Sequence, residues 1–416
     1  MNSERESLTR AIGTVGLAAG IINIMIGGGI FRAPADVAGA LGAAAPVAYL
    51  ICAIAFSLIV TCIAAAGRRV SLTGGPYAYV GATLGPYAGF LSGVLLWMIG
   101  VFATAAVSTV MAASVAELLG WSGALMRSVI LATAFGFWSF VNMRGVTYGV
   151  RLNTAMTIAK LLPLLLLAAA GAFFVRGENL VVAEWPPVGD FARMSLILVF
   201  AFAGIEVALI PSGEVRDPER TVPRAIALSM IAVTILYVAL QVVSQGILGA
   251  ALPSSQVPLA DAAGASLGAW ARSLLLAGAA VSMFGHLGGM TLSIPRIVYA
   301  LARDGFLPKA LASVHPVYRS PQLAIVTQSL LTLALAITST FAELAVLANA
   351  AALALYLGCA VAAWKLGQSP VVPVLACAVI AWLLTGLQPD EWLAFGACIT
   401  LASAAYFLRR QPVPGT

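Results

Sequence analysis

The chain has 416 residues, 61% hydrophobic and 9% charged, with a formal charge of +6 and a mean hydropathy of +1.00. A soluble domain carries roughly a quarter charged residues, so this composition cannot clothe a water-facing surface; it excludes a soluble enzyme, a secreted disulfide scaffold and a single-anchor receptor. At about 20 apolar residues per crossing it suffices for about twelve membrane spans.

The chain opens on a polar segment, MNSERESLTR, and the apolar stretch that follows is too long and glycine-rich for a cleaved signal. It is expected to be the first span, retained in the mature protein. Polar and Gly/Pro clusters then divide the sequence into spans near 11–41, 44–66, 85–112, 127–142, 152–174, 190–213, 222–248, 268–302, 321–339, 342–365, 369–387 and 392–408. Sixteen basic residues, among them Arg5, Arg68, Arg144, Arg216, Arg303 and Arg410, fall on the side of the termini; Arg127, Arg176, Arg193 and Arg272 fall on the other. The positive-inside rule therefore places residues 1–10 and 409–416 in the cytoplasm of a multi-pass cell (inner) membrane protein. The other two basic residues, Arg32 and Lys160, lie inside spans, where charge is costly and points to function.

Cys52, Cys62, Cys359, Cys377 and Cys398 all sit in apolar runs without CxxC spacing, so they read as core residues. No metal site, cofactor or disulfide-linked auxiliary subunit is expected, and no basic cluster with interleaved aromatics suggests nucleic acid. The oligomeric state is left open between monomer and homodimer.

Two spans carry a break. Ile26-Gly27-Gly28-Gly29-Ile30-Phe31, followed by Pro34, puts three consecutive glycines at mid-membrane depth, which favours unwinding. Backbone groups freed in this way survive in a membrane only where they line a cavity. The sixth span, Phe200-Ala201-Phe202-Ala203-Gly204-Ile205-Glu206, is weaker alone but occupies the matching place if spans one to five and six to ten are inverted repeats.

GGGIFRAPADVA resembles the G-(S/A/G)-G-I-F signature of the amino acid–polyamine–organocation (APC) superfamily. Gly74-Gly75-Pro76-Tyr77-Ala78-Tyr79 with Gly85-Pro86-Tyr87-Ala88-Gly89-Phe90 is similar to its GGxYxY and GPxxGF run, and Asn142-Met143-Arg144-Gly145-Val146 to its NxRGV. Phe202-Ala203-Gly204-Ile205-Glu206 resembles F-x-G-x-E, and the segment from Arg296 through Ala300, Ala302, Asp304 and Gly305 to Pro308 resembles R-x-x-x-A-x-A-x-D-G-x-x-P. The ordered set covers residues 12–321, and the last two spans carry no matching motif. The resemblance implies an all-α LeuT-like fold: a first repeat over 11–174, a second over 190–365 and two peripheral spans over 369–408.

It also implies alternating-access transport of an amino acid. A zwitterion would be held by backbone dipoles, its carboxylate by N–H groups at Gly28, Gly29 and Ile30, and its ammonium by carbonyls near Ala203 and Ile205. Ile26, Gly27 and Gly204 complete this backbone set. By motif alignment Phe200 or Phe202 matches the family's aromatic gate, while Thr104 and Met290 fall where members contact the substrate side chain. The cores of the third, eighth and tenth spans contain no Asp or Glu to pair a cationic side chain, so small or medium neutral substrates are expected.

Lys160, in Ile158-Ala159-Lys160-Leu161-Leu162-Pro163, lies too deep for comfortable snorkelling. In sodium-independent APC members a lysine at this place stands where sodium-coupled relatives hold an ion. The resemblance thus implies that Lys160 meets the backbone around Met25–Gly27 and serves proton coupling, or is a permanent strut in an obligate exchanger. Arg32 is expected to pair with Asp36, its i+4 neighbour, or to line the outward vestibule. Glu206 is expected to cap freed backbone in the sixth-span break, and His286 is a weak candidate for a proton relay. An integral-membrane enzyme would need a nucleophile–base pair, a metal set or clustered acids, which this sequence does not offer; a channel is opposed by the deep lysine.

Overall fold

A computed structural model describes residues 13–69, 76–144, 161–205, 215–318 and 320–408, and these are overwhelmingly helical. The first predicted span is two helices, α1 (Thr14–Met25) and α2 (Gly29–Leu41), followed by α3 (Ala45–Arg69). A short α4 (Pro76–Leu84) precedes α5 (Pro86–Leu119) and α6 (Ala124–Met143). Next come the helical stretch α7 (Leu161–Phe174), α8 (Val188–Phe202) and α9 (Pro218–Leu248). After α9 lie α10 (Pro258–Leu267), α11 (Ala269–Ser293), α12 (Pro295–Arg303) and α13 (Gln322–Thr338). The chain closes with α14 (Phe341–Lys365), α15 (Val371–Leu384) and α16 (Pro389–Leu408).

Seven helical stretches among the described residues are long and apolar enough to cross a bilayer, and three shorter apolar helices accompany them. The remaining two of the twelve predicted spans are the first, which is broken, and the sixth, whose helix α8 stops at Phe202. Three details differ from the expectation. The third span runs on to Leu119, where Gly120, in left-handed conformation at φ 66°, ends it. The eighth span stops at Ser293, and its continuation is the separate helix α12. Helices α4 and α10 were not expected, being too short to register as spans.

Local chemistry sets the boundaries. Thr340 and Glu343 form a reciprocal capping box, with each side chain accepting from the other's backbone N–H, and this starts α14 directly after Ser339. Inside α2, Pro34 has no N–H to offer, so the Ile30 carbonyl four residues earlier loses its intrahelical donor.

Helix α5 is the central post, packed against α14 and α11, while α1 lies on α9 and α2 on α8. Single polar bonds join the spans: Ser229 donates to the Ala18 carbonyl (3.1 Å), Asn349 to Leu196 (2.6 Å) and Asn142 to Gly288 (3.1 Å). The faces turned outward are apolar, with Leu125, Val129, Phe140, Val374 and Leu401 exposed, as a lipid-facing surface requires. At the junction of α15 and α16, Arg193 grips Glu391 through two bonds of 2.6 and 2.8 Å and also donates to the Gly386 carbonyl.

Gly288 sits beneath Trp138, whose indole would lie 2.6 Å from an added Cβ. Trp138 is itself buried and has little room to retreat. Gly288→Ala is therefore expected to destabilise the protein by about 1–3 kcal/mol through overpacking. A thermal melt in detergent should show a lowered Tm, partly restored by Trp138→Phe.

Candidate functional site

The first-span break covers Ile26, Gly27 and Gly28. The Gly27 N–H turns back to the Met25 carbonyl (2.8 Å), and Gly28 precedes the first turn of α2. The N–H groups of Gly29 and Ile30 in that turn have no intrahelical acceptor by position, so the positive end of the half-helix faces the break. In the sixth span, α8 ends at Phe202, Ala203 is extended, and Gly204 takes φ 116°, a conformation suited to glycine. Ile205 is the last described residue there; Glu206 lies outside the described residues.

The two breaks meet. A Cβ on Gly29 would stand 3.0 Å from the Ala201 Cα and 3.1 Å from the Phe200 ring, and one on Gly28 would stand 3.2 Å from the Val107 Cα. Neighbouring backbone from α8 and α5 occupies the space a side chain would need, which explains the glycines better than flexibility alone does.

Between the breaks stands Tyr237 of α9, fully buried. Its hydroxyl shares one proton between the Met25 carbonyl (2.8 Å) and the Ala201 carbonyl (3.0 Å). These carbonyls belong to the C-terminal ends of α1 and α8, so two negative helix ends and one positive end converge on one place. That is the polarity a zwitterion presents in reverse. The ring of Tyr237 packs edge-on to Phe202 at 5.3 Å, and Phe202 also touches Phe56.

The sequence-derived candidates separate into groups. Ile26, Ile30 and Phe202 have side chains buried in the core, so Ile26 and Ile30 can offer a ligand only backbone. Phe200 lies against Gly29 of the first break and edge-on to Phe341 at 5.5 Å. Helices α5 and α11 run antiparallel, because Glu117 meets Arg272 at one end and Gly100 abuts Ile294 at the other. Thr104, four residues beyond Gly100, and Met290, four before Ile294, therefore share a level one turn from Val107, beside the break. Thr104 is buried and donates to the Gly100 carbonyl at 2.6 Å. Lys160 lies outside the described residues.

Above the break opens a cavity of about 670 Å³, lined by Arg32, Asp36, Thr109, Val110, Arg127 and Phe341 among others. Arg32 pairs with Asp36 (3.0 Å), as its spacing suggests, and also lines this cavity, the vestibule. The Phe200–Phe341 pair stands between the vestibule and Gly29. His315 accepts from the Val317 and Tyr318 N–H groups in an exposed loop, a local structural role.

Sequence reasoning missed Tyr237 and Phe341. The available signal was faint: Tyr237 is the lone tyrosine of the seventh span, and a buried phenol seeks a partner.

A polytopic apolar helical bundle with an interrupted span points to membrane transport. The chain belongs to the amino acid permease family of the APC superfamily, whose family model matches residues 12–405. It is similar to the serine/threonine exchanger SteT of Bacillus subtilis, 30% identical over 348 residues that cover 82% of this chain and 79% of SteT. It is also similar to two further proteins of that organism. The methylthioribose transporter is 25% identical and the branched-chain amino acid permease BcaP 26%, each aligned over 98% of this chain and 94% of the relative. The protein is a transporter and not an enzyme.

Tyr237→Phe keeps the ring and removes the hydroxyl's bonds to both carbonyls, at a cost of about 1–3 kcal/mol. Thermal unfolding should register that loss, and amino acid uptake in proteoliposomes should fall with it; unchanged stability and uptake would remove Tyr237 from the site.

Proposed function

We propose that this protein is a secondary active transporter of small or medium neutral amino acids, working by alternating access without sodium and coupled to protons through Lys160. The observation that carries the substrate class is the convergence of the α2 N-terminus with the α1 and α8 C-termini at Tyr237. On this reading the N–H groups of Gly28, Gly29 and Ile30 take the carboxylate. Carbonyls at the ends of α1 and α8, together with those near Ala203 and Ile205, take the ammonium. Thr104, Met290 and Phe200 form the walls that meet the side chain. The Phe200–Phe341 pair is the door from the vestibule, a role for which Phe200 fits better than the buried Phe202. Two inverted repeats over 11–174 and 190–365, and cytoplasmic termini in the cell membrane, belong to the same reading.

Obligate exchange is the second reading, with Lys160 as a fixed strut; it is favoured by the similarity to a protein named as a serine/threonine exchanger. Liposomes loaded or empty, with and without an acid-outside gradient, separate the two. Acid-stimulated uptake of labelled serine or leucine into empty vesicles is the expected result for symport. A requirement for internal amino acid would instead support exchange, and sodium dependence would remove Lys160 from its assigned place. Lys160→Ala is expected to abolish uptake or uncouple it from pH, and wild-type behaviour in that variant would refute the assignment. A thermal-shift screen against neutral, cationic and anionic amino acids should show stabilisation by neutral members only.

A further inference from the structure

On the outer side of the bundle a continuous chain of polar contacts runs from the third span to the first. Glu117, at the end of α5, accepts from Arg272 of α11 at 2.6 Å. Arg272 also donates through Nε and Nη2 to Asp261 of α10, both at 3.1 Å. The other oxygen of Asp261 accepts from the Ser255 hydroxyl at 2.5 Å, and that hydroxyl in turn accepts from the Val257 N–H. The Ser255 carbonyl accepts from Arg32 at 2.6 Å, and the second nitrogen of Arg32 meets Asp36 at 3.0 Å.

Arg32 and Asp36 are the last links and the only ones of this chain that line the vestibule. Arg32 is therefore held from two directions, by its own helix through Asp36 and by the α10 segment through Ser255. The first hold is local and survives any movement of α2. The second ties the outer half of the first span to α10 and, through Arg272, to α11 and to α5, and α5 also lines the vestibule. Ser255 can present its carbonyl to Arg32 only while its side chain is anchored, and Asp261 is that anchor. Asp261 in turn is oriented by a guanidinium using two nitrogens on one oxygen, a directional contact.

We propose that Asp261 and Arg272 are positioning residues of the outer vestibule, acting through Ser255 on Arg32 to hold the outer half of the first span against the third and eighth spans. Neither residue touches the chain breaks. Their effect is on the width of the vestibule and on how readily α2 leaves the outward position. The inference rests on the chain being a transporter and is independent of which ion, if any, drives it.

Thr109 lines the vestibule, and no cysteine of the chain does. In a Thr109→Cys background, labelling by a membrane-impermeant maleimide reports vestibule access without any substrate. Asp261→Asn is expected to slow labelling about threefold, the effect of losing a well-placed charge contact. Arg32→Gln should slow it by a similar factor, and the double variant should be no slower than either single one, because both cut the same chain. Asp261→Glu should restore the rate, and Ser255→Ala, which breaks the chain without removing a charge, should reproduce the slowing. Parent-like labelling of Asp261→Asn and Ser255→Ala, or effects that multiply in the Asp261–Arg32 pair, would overturn the proposal. A thermal melt on each variant separates loss of fold from loss of the tie.

Discussion

One hydroxyl proton, shared by two main-chain carbonyls, holds the centre of this molecule. Tyr237 meets Met25 and Ala201 where α1 and α8 both end, adding a side-chain donor at two helix termini whose carbonyls lack the usual intrahelical partner. The broken first span is tolerable because this bond caps the lower half-helix, while Gly28 and Gly29 let α5 and α8 close over the upper one. The cavity side of the bundle is arranged around that junction. Phe200 and Phe341 lie over it, the vestibule lies over them, and the Arg32–Asp36 pair borders the vestibule.

Two kinds of contact hold these elements. Helices α5, α6, α11 and α13 are knit by side-chain bonds such as Ser139 to Ser329, Trp97 to Gln328 and Asn142 to Gly288. The broken span is fastened by Ser229 at α1, Tyr237 at the junction and Arg32 at α2, and its apolar side chains pack into the core, α1 on α9 and α2 on α8. Polar bonds of this kind can be released and re-formed in a step between two states, whereas packed side chains resist displacement.

What could be read from the sequence was whatever depends on local pattern. The spans were legible because lipid demands long apolar runs, and the first break because three consecutive glycines leave a helix little to hold it. The Arg32–Asp36 pair followed from i,i+4 spacing alone. Tyr237 was not legible because its partners are 212 and 36 residues away and are main-chain atoms that carry no residue identity. Phe341 escaped for the same reason: its contact with Phe200 joins the sixth and tenth spans. Helix α10 is ten residues of modest apolarity, and its role appears only once Asp261 is seen between Ser255 and Arg272.

Glycine at positions 28 and 29 leaves the main chain bare where the half-helices converge. Substitution changes side chains and leaves peptide groups in place, so the polar centre of such a site is largely beyond the reach of point mutation except by destroying it. On the proposed function, variation is left to the surrounding walls, at Thr104, Met290 and Phe200. A lineage built on this plan can change its cargo by small steps in the walls while its most demanding geometry is inherited intact.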